Sequence, residues 1–261
     1  MIETITILGG RGRTGQPEPF GRIELKMGDV VTIVGPTGSG KTTLINDIEL
    51  FADRNTPTGR RILFDGAVAP REYREDPARH PIALITQHTT FLSDLPVGEF
   101  LTAHARIRCG ASSEAGTLVA DTLAFANQLT GEPIAEEVRM TELSGGQTRA
   151  ILIADAAIIC STPIVLLDEV ENAGIHRTRA IELLRRFRKI FVFVTHDPRI
   201  ALLSDYRIVM KSGGIVDVLE TDEAEKAFAV KVSRLDDALS RLRDQLRLGH
   251  RLVGDELEEV A

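Results

Sequence analysis

Gly35-Pro36-Thr37-Gly38-Ser39-Gly40-Lys41-Thr42-Thr43 joins three glycines to a lysine and four hydroxyl side chains, the residue types that hold a polyphosphate. Glycines let the main chain wrap an anion and turn its N–H groups inward. Lys41 is then placed to reach the terminal phosphates, and the Thr42 hydroxyl to ligate a magnesium ion. Such chemistry also needs a carboxylate for the metal and a group to polarise water. Asp168 and Glu169 close the apolar run Ile164-Val165-Leu166-Leu167. At the C-terminal edge of a strand they would face a ligand crevice, Asp168 toward the hydration shell of the ion and Glu169 toward an attacking water. In isolation an acidic pair is more often a turn cap; the phosphate loop in the same chain favours the catalytic reading.

These groups need rigid elements behind them. Val31-Thr32-Ile33-Val34 is apolar and β-branched, fit for a buried strand running straight into the loop, and Leu44-Ile45 open a helical pattern after it. Short strands are also expected at Ile5–Leu8, Ile23–Leu25, Ile82–Ile85, Ile164–Leu167 and Ile190–Val194, with a closing hairpin of Ile208–Met210 and Ile215–Leu219 over Ser212-Gly213-Gly214. Residues 97–140 have helix-forming composition, as do Gln147–Ile159 and Thr178–Phe187. Strands alternating with helices predict an α/β fold with a mostly parallel sheet.

Composition sets the bounds. The 261 residues carry 31 basic and 38 acidic side chains, a net charge of −7, which argues against nucleic acid as a partner. No apolar run approaches the roughly 18 residues of a membrane span. The N-terminus, MIETITILGG, lacks the basic start and apolar block of a secretion signal. Only Cys109 and Cys160 are present, which points to a reducing cytoplasm and to two small buried hydrophobes. The histidines show no metal-ligand spacing.

Leu143-Ser144-Gly145-Gly146-Gln147 follows the helical stretch. Alone it reads as a helix cap. Between a phosphate loop and an Asp-Glu strand it resembles the signature motif of ATP-binding cassette (ABC) ATPases. Gln87, just past Ile82–Ile85, matches the Q-loop glutamine of that family, and His196, in Val194-Thr195-His196-Asp197, its switch histidine. The likeness spans about residues 1–220. It implies a P-loop NTPase cassette with a mostly parallel core sheet, an N-terminal antiparallel β-subdomain and a helical subdomain at about 88–145, all within residues 1–221, followed by a helical tail at 222–261. It further implies two chains docked head to tail around two ATP. Each nucleotide would lie on residues 35–43 of one chain and meet Ser144, Gly145, Gly146 and Gln147 of the other. Glu169 would be the general base, and His196 would sense the γ-phosphate. Thr42, Gln87 and Asp168 would surround Mg²⁺. A second such chain, most simply a homodimer, and separate transmembrane permease subunits are the implied partners, at the inner face of the cell membrane.

Departures from the pattern temper this. Residues 170–176, VENAGIH, replace the usual segment after the catalytic glutamate and put His176 where an aspartate would fall. The aromatic expected before the phosphate loop to stack on adenine is missing; Arg11 or Arg13 could stack instead, or Gly9–Gly21 could be a solvated loop. The basic stretch RTRAIELLRRFRK at 177–189 reads as a solvated outer helix, with an acidic lipid or nucleic-acid surface as the lesser alternative. In the tail, Phe228, Val232, Leu235, Leu239, Leu242 and Leu246 are spaced as an a/d seam, either packed on the domain or pairing with a partner. A soluble ATPase that remodels a protein or nucleic-acid complex, or assists cofactor assembly, is the alternative to a transporter subunit.

Overall fold

A strand apolar at every position needs cover on both faces, and the strands of the larger sheet are of that kind. In the computed structural model, which describes residues 2–86, 88–109, 115–160, 162–168 and 177–251, the strands are β1 (Thr4–Leu8), β2 (Arg22–Lys26), β3 (Val30–Val34), β4 (Arg61–Phe64), β5 (Ala67–Val68), β6 (Ile82–Ile85), β7 (Ile164–Asp168), β8 (Ile190–Val194), β9 (Tyr206–Lys211) and β10 (Gly214–Glu220). The helices are α1 (Lys41–Glu49), α2 (Glu72–Glu75), α3 (Val97–Cys109), α4 (Ala115–Leu129), α5 (Gly145–Ala157), α6 (Arg177–Leu184), α7 (Pro198–Leu203) and α8 (Glu223–Arg247). The six-stranded sheet runs β10-β9-β3-β8-β7-β6; its pairings are parallel except for the antiparallel edge strand β10. A four-stranded antiparallel sheet, β2-β1-β4-β5, is separate.

Alternation along the buried strands sorts their side chains into two cores. Ile164, Leu166, Ile190, Val192 and Val194 pack with α1 and the antiparallel sheet. Val165, Leu167, Phe191 and Phe193 pack with residues of α3, α4, α5 and α6. The large sheet is therefore the middle layer of three, and the helical lobe shares its core with one face of that sheet.

In the tail, α8 docks on α7, where Ala229 and Ala238 are buried and Arg199 pairs with both Asp197 and Asp236. The a/d seam is not the face packed on the domain, since Phe228, Leu235, Leu239 and Leu246 are exposed, which leaves pairing with a partner as its alternative. Small residues let the helix approach closely, and ion pairs hold it there. The basic stretch is only partly an outer helix: α6 ends at Leu184, Arg185 pairs with Asp205 at 3.0 Å, and Lys189 Nζ donates to the carbonyls of Ala156 and Cys160 at 2.7 and 2.6 Å. Burial outweighs the nearby Cys160 and Asp155 and lowers Lys189 to about 8. Cys160 is buried, as expected, yet more than a small hydrophobe; its thiol donates to Asp155 at 3.6 Å, and burial together with the Asp155 charge pushes it up to about 12. The side chain of Cys109 lies outside the described residues.

Candidate functional site

The parallel register brings the sequence-predicted groups to one edge. β3 pairs with β8 through Ile33 and Val194, and β8 with β7 through Val194 and Asp168. The C-terminal ends of β3, β7 and β8 thus line up, carrying the phosphate loop, Asp168 and the Thr195-His196 segment. Open α/β sheets bind ligands at this edge. Asp168 is half-buried and His196 exposed. Gln87 and Glu169 lie outside the described residues, as do residues 170–176 with His176.

Residues 35–40 join β3 to α1, and two glycines explain why no other residue serves. Gly35 has φ +150°, and a Cβ there would sit 2.4 Å from the Met210 carbonyl oxygen. Gly40 has φ +101°, and its Cβ would fall 2.8 Å from Gly213 Cα. Gly213 N donates to Ser39 O at 2.8 Å, so the β9–β10 turn forms the back wall of the loop. With Ser212 at φ 50° and Gly213 at φ 85°, that turn is the two-residue type expected of a tight hairpin. Lys41 is buried and its Nζ donates to Gly35 O at 2.8 Å and Pro36 O at 3.3 Å, pinning the ammonium to the loop. Thr42 and Thr43 are exposed.

The residues fit a bound triphosphate. Gly40 caps α1 without a side-chain hydrogen bond and no acid sits in the first turn, so the helix presents bare N–H groups and its positive end. Ser39 Oγ is buried without a hydrogen-bond partner beside Gly35. The hard oxygens of Thr42 and Asp168 suit Mg²⁺.

Beneath the loop lies an ionic knot that sequence reasoning missed. Arg60 is fully buried and reaches Glu18 at 2.6 Å, Asp47 at 2.9 Å and the Gly213 carbonyl at 3.0 Å. Asp47 sits on α1, and Thr58 Oγ1 also donates to it at 2.8 Å. Glu18 accepts the backbone N–H groups of Gly10 and Ile215 at 2.8 and 2.6 Å. Burial works to raise the Glu18 carboxyl, but the Arg60 and backbone hydrogen bonds together prevail and hold it below its ordinary range. Arg60 thereby ties the Gly9–Gly21 loop, α1 and the hairpin turn into one unit. That loop is folded back on itself, with Gly9 N bonded to Gly21 O and Gly12 N to Gln16 O, rather than merely solvated. Neighbouring arginines and acids in the sequence gave no signal for the knot, because its members come from four distant segments.

The signature stretch is built differently. Ser144 caps α5 in a reciprocal box: its Oγ accepts from Gln147 N at 3.3 Å, and Gln147 Oε1 accepts from Ser144 N at 3.0 Å. Ser144 and Gly145 are exposed, and a Cβ at Gly145 would meet nothing within 4 Å.

The sequence profile of the ABC transporter family matches residues 22–172, more than half of the chain. The chain belongs to that family. It is an ABC-type ATPase that binds and hydrolyses ATP. An uncharacterized ABC transporter ATP-binding protein of Methanocaldococcus jannaschii is 46% identical over 98% of this chain and 97% of its own length. The sulfate/thiosulfate import ATP-binding protein of Mesorhizobium japonicum is 31% identical over 77% of this chain, which spans 58% of that protein. The ABC fold is shared with cbiO1 from Clostridium perfringens, described as part of the transporter complex cbiONQ (TM-score 0.65, 21% identity, 95% of this chain and all of that one). It is shared too with a dimeric ATP-binding cassette in a post-hydrolysis state bound to ADP and Pi (TM-score 0.62, 22% identity, 84% and 99%). No described helix is long and apolar enough to cross a membrane.

Proposed function

We propose that two copies of this chain close head to tail over two Mg-ATP, hydrolyse them to ADP and phosphate, and so drive a transporter through separate membrane subunits. The observation that carries the reading is the N-terminus of α5. Ser144 and Gly145 stand exposed, and nothing in the chain itself requires glycine at 145. Glycine at the start of a helix costs stability. A surface that must approach the phosphates of a second copy supplies the reason.

In this scheme Lys41 and the loop N–H groups hold the β- and γ-phosphates. Thr42, Asp168 and Gln87 hold Mg²⁺, which when bound neutralises charge on the phosphate oxygens. Glu169 takes a proton from the attacking water as its oxygen bonds to the γ-phosphorus and the bond to the leaving ADP oxygen breaks. His196 contacts the γ-phosphate. Ser144, Gly145 and Gly146 of the second copy, with Gln147 fixing the cap, bring the positive end of α5 to the same charge. The membrane subunits would dock on the helical lobe, where Leu92 and Leu95 are exposed and a groove of about 670 Å³ is lined by Leu95, Pro96, Glu99, Thr102, Arg106 and Glu136.

The test is Glu169→Gln in size-exclusion chromatography. With ATP it accumulates as dimer; a persistent monomer at high protein concentration overturns the composite site. For the partner, affinity capture in mild detergent brings down a polytopic membrane protein. Capture of a complex without any membrane protein favours the remodelling ATPase instead.

A further inference from the structure

His104 on α3, Asp155 on α5 and Cys160 just beyond α5 meet away from the nucleotide edge. His104 Nδ1 lies 2.8 Å from Asp155 Oδ1, and Cys160 Sγ lies 3.6 Å from Asp155 Oδ2. All three donor atoms fall within 4.8 Å of one another, the one such cluster of three or more metal-ligating side chains among the described residues. Asp155 and Cys160 are buried, while the His104 side chain is 23% exposed and opens the cluster to solvent. The site is held from behind: Cys160 N donates to Asp155 O at 2.8 Å, and Lys189 Nζ anchors the Cys160 carbonyl at 2.6 Å. No spacing betrays it in the sequence, because α3 and α5 meet only through the packing of the helical lobe.

We propose that His104, Asp155 and Cys160 form a binding site for one thiophilic divalent cation, zinc being the best fit. One nitrogen, one carboxylate oxygen and one sulfur are the donors zinc selects, and they disfavour Mg²⁺, which demands octahedral oxygen. Tetrahedral zinc bonds hold such donors roughly 3.3–3.7 Å apart. The Cys160–Asp155 separation already falls in that range and the His104–Asp155 pair is about 0.5 Å short of it, so an ion enters by small side-chain shifts without rearrangement of helices. Carboxylate and thiolate together cancel the ion's charge, which makes its partial burial tolerable. On binding, the thiol would give its proton to solvent, the imidazole would coordinate through Nδ1 with its one proton carried on Nε2, and water at the His104 edge would complete the fourth position. The ion would join α3 of the helical lobe to the base of the helix that begins at Ser144. This inference does not depend on the proposed dimer or transporter.

The experiment titrates nucleotide-free protein with Co²⁺ alone and then with Zn²⁺. One equivalent of Co²⁺ should bring up a sulfur-to-cobalt charge-transfer band, which Zn²⁺ then displaces, and Zn²⁺ should raise the thermal midpoint. Cys160→Ser should abolish the band. His104→Gln, at the more accessible position and therefore the safeguard should Cys160→Ser not fold, should weaken Zn²⁺ at least about tenfold. Absence of the band at one equivalent, its survival in Cys160→Ser, or unchanged zinc affinity in His104→Gln overturns the site and leaves a hydrogen-bonded triad only.

Discussion

The phosphate loop and the signature turn are both glycine-rich and both sit at the start of a helix, yet the chain treats them in opposite ways. The first is over-determined. Gly35 and Gly40 are pressed against Met210 and Gly213, and Arg60 locks the supporting loop, α1 and turn together. The second is held by a capping box and a hydrogen bond from Gln147 to the Pro133 carbonyl, with open space around Gly145. A cradle must hold its shape before its ligand arrives, since preorganised donors are what make charge stabilisation effective. A surface offered to another molecule needs only to be exposed and correctly pointed. Glycine therefore means internal contact at 40 and, in the proposed dimer, external contact at 145.

Four substitutions break or sharpen this contrast. The largest effect is expected from Arg60→Met, which strands Glu18 and Asp47 as buried carboxylates. It should cost about 3–5 kcal/mol in urea denaturation, and a loss below about 1 kcal/mol would show the knot to be incidental. Lys41→Ala should lower ATP turnover by about 10²–10³-fold or more, read in a steady-state phosphate-release assay. Gly145→Ala is the sharpest. Stability should hold or rise by up to about 0.5–1 kcal/mol, because the methyl has room, while turnover falls. Unchanged turnover would mean that nothing outside the chain needs that glycine. The smallest effect is one of slope. The folded Glu18 carboxyl lies below its ordinary value of 4.5, so its contribution is present above that pH and is lost as pH falls through the folded value. Glu18→Gln should flatten the acid limb of the stability profile below about pH 4.5, measured as urea midpoints across that range.

What could be seen in the sequence was what the chain builds locally. β3, the glycine loop and α1 are contiguous, and the hairpin at 206–220 announces itself through Gly213 and Gly214. The strand runs were legible because burial on both faces leaves no polar position to blur them. The placement of Asp168 and His196 at one sheet edge follows from parallel register, and Gln87 and Glu169 fall outside the described residues. The Arg60 knot was not legible, because residues 18, 47, 60 and 213 converge only in three dimensions. The His104, Asp155 and Cys160 cluster was hidden for the same reason. In α8 the heptad pattern marks a largely exposed face, not the one that docks on the domain. Ion pairs of Arg199 and Arg207, with small residues at 229 and 238, decide the docking there, and a hydrophobic-period reading weighs neither.

The rear wall of the nucleotide cradle has a consequence for biosynthesis. Arg60 and the Gly213 carbonyl it grips are 153 positions apart, and Glu18 accepts from Ile215 across 197. A growing polypeptide emerging from the ribosome displays its glycine loop early but cannot brace it until the final hairpin has cleared the exit tunnel. Loop closure over such spans is slow. Nascent chains stalled before residue 214 should therefore fail to retain ATP.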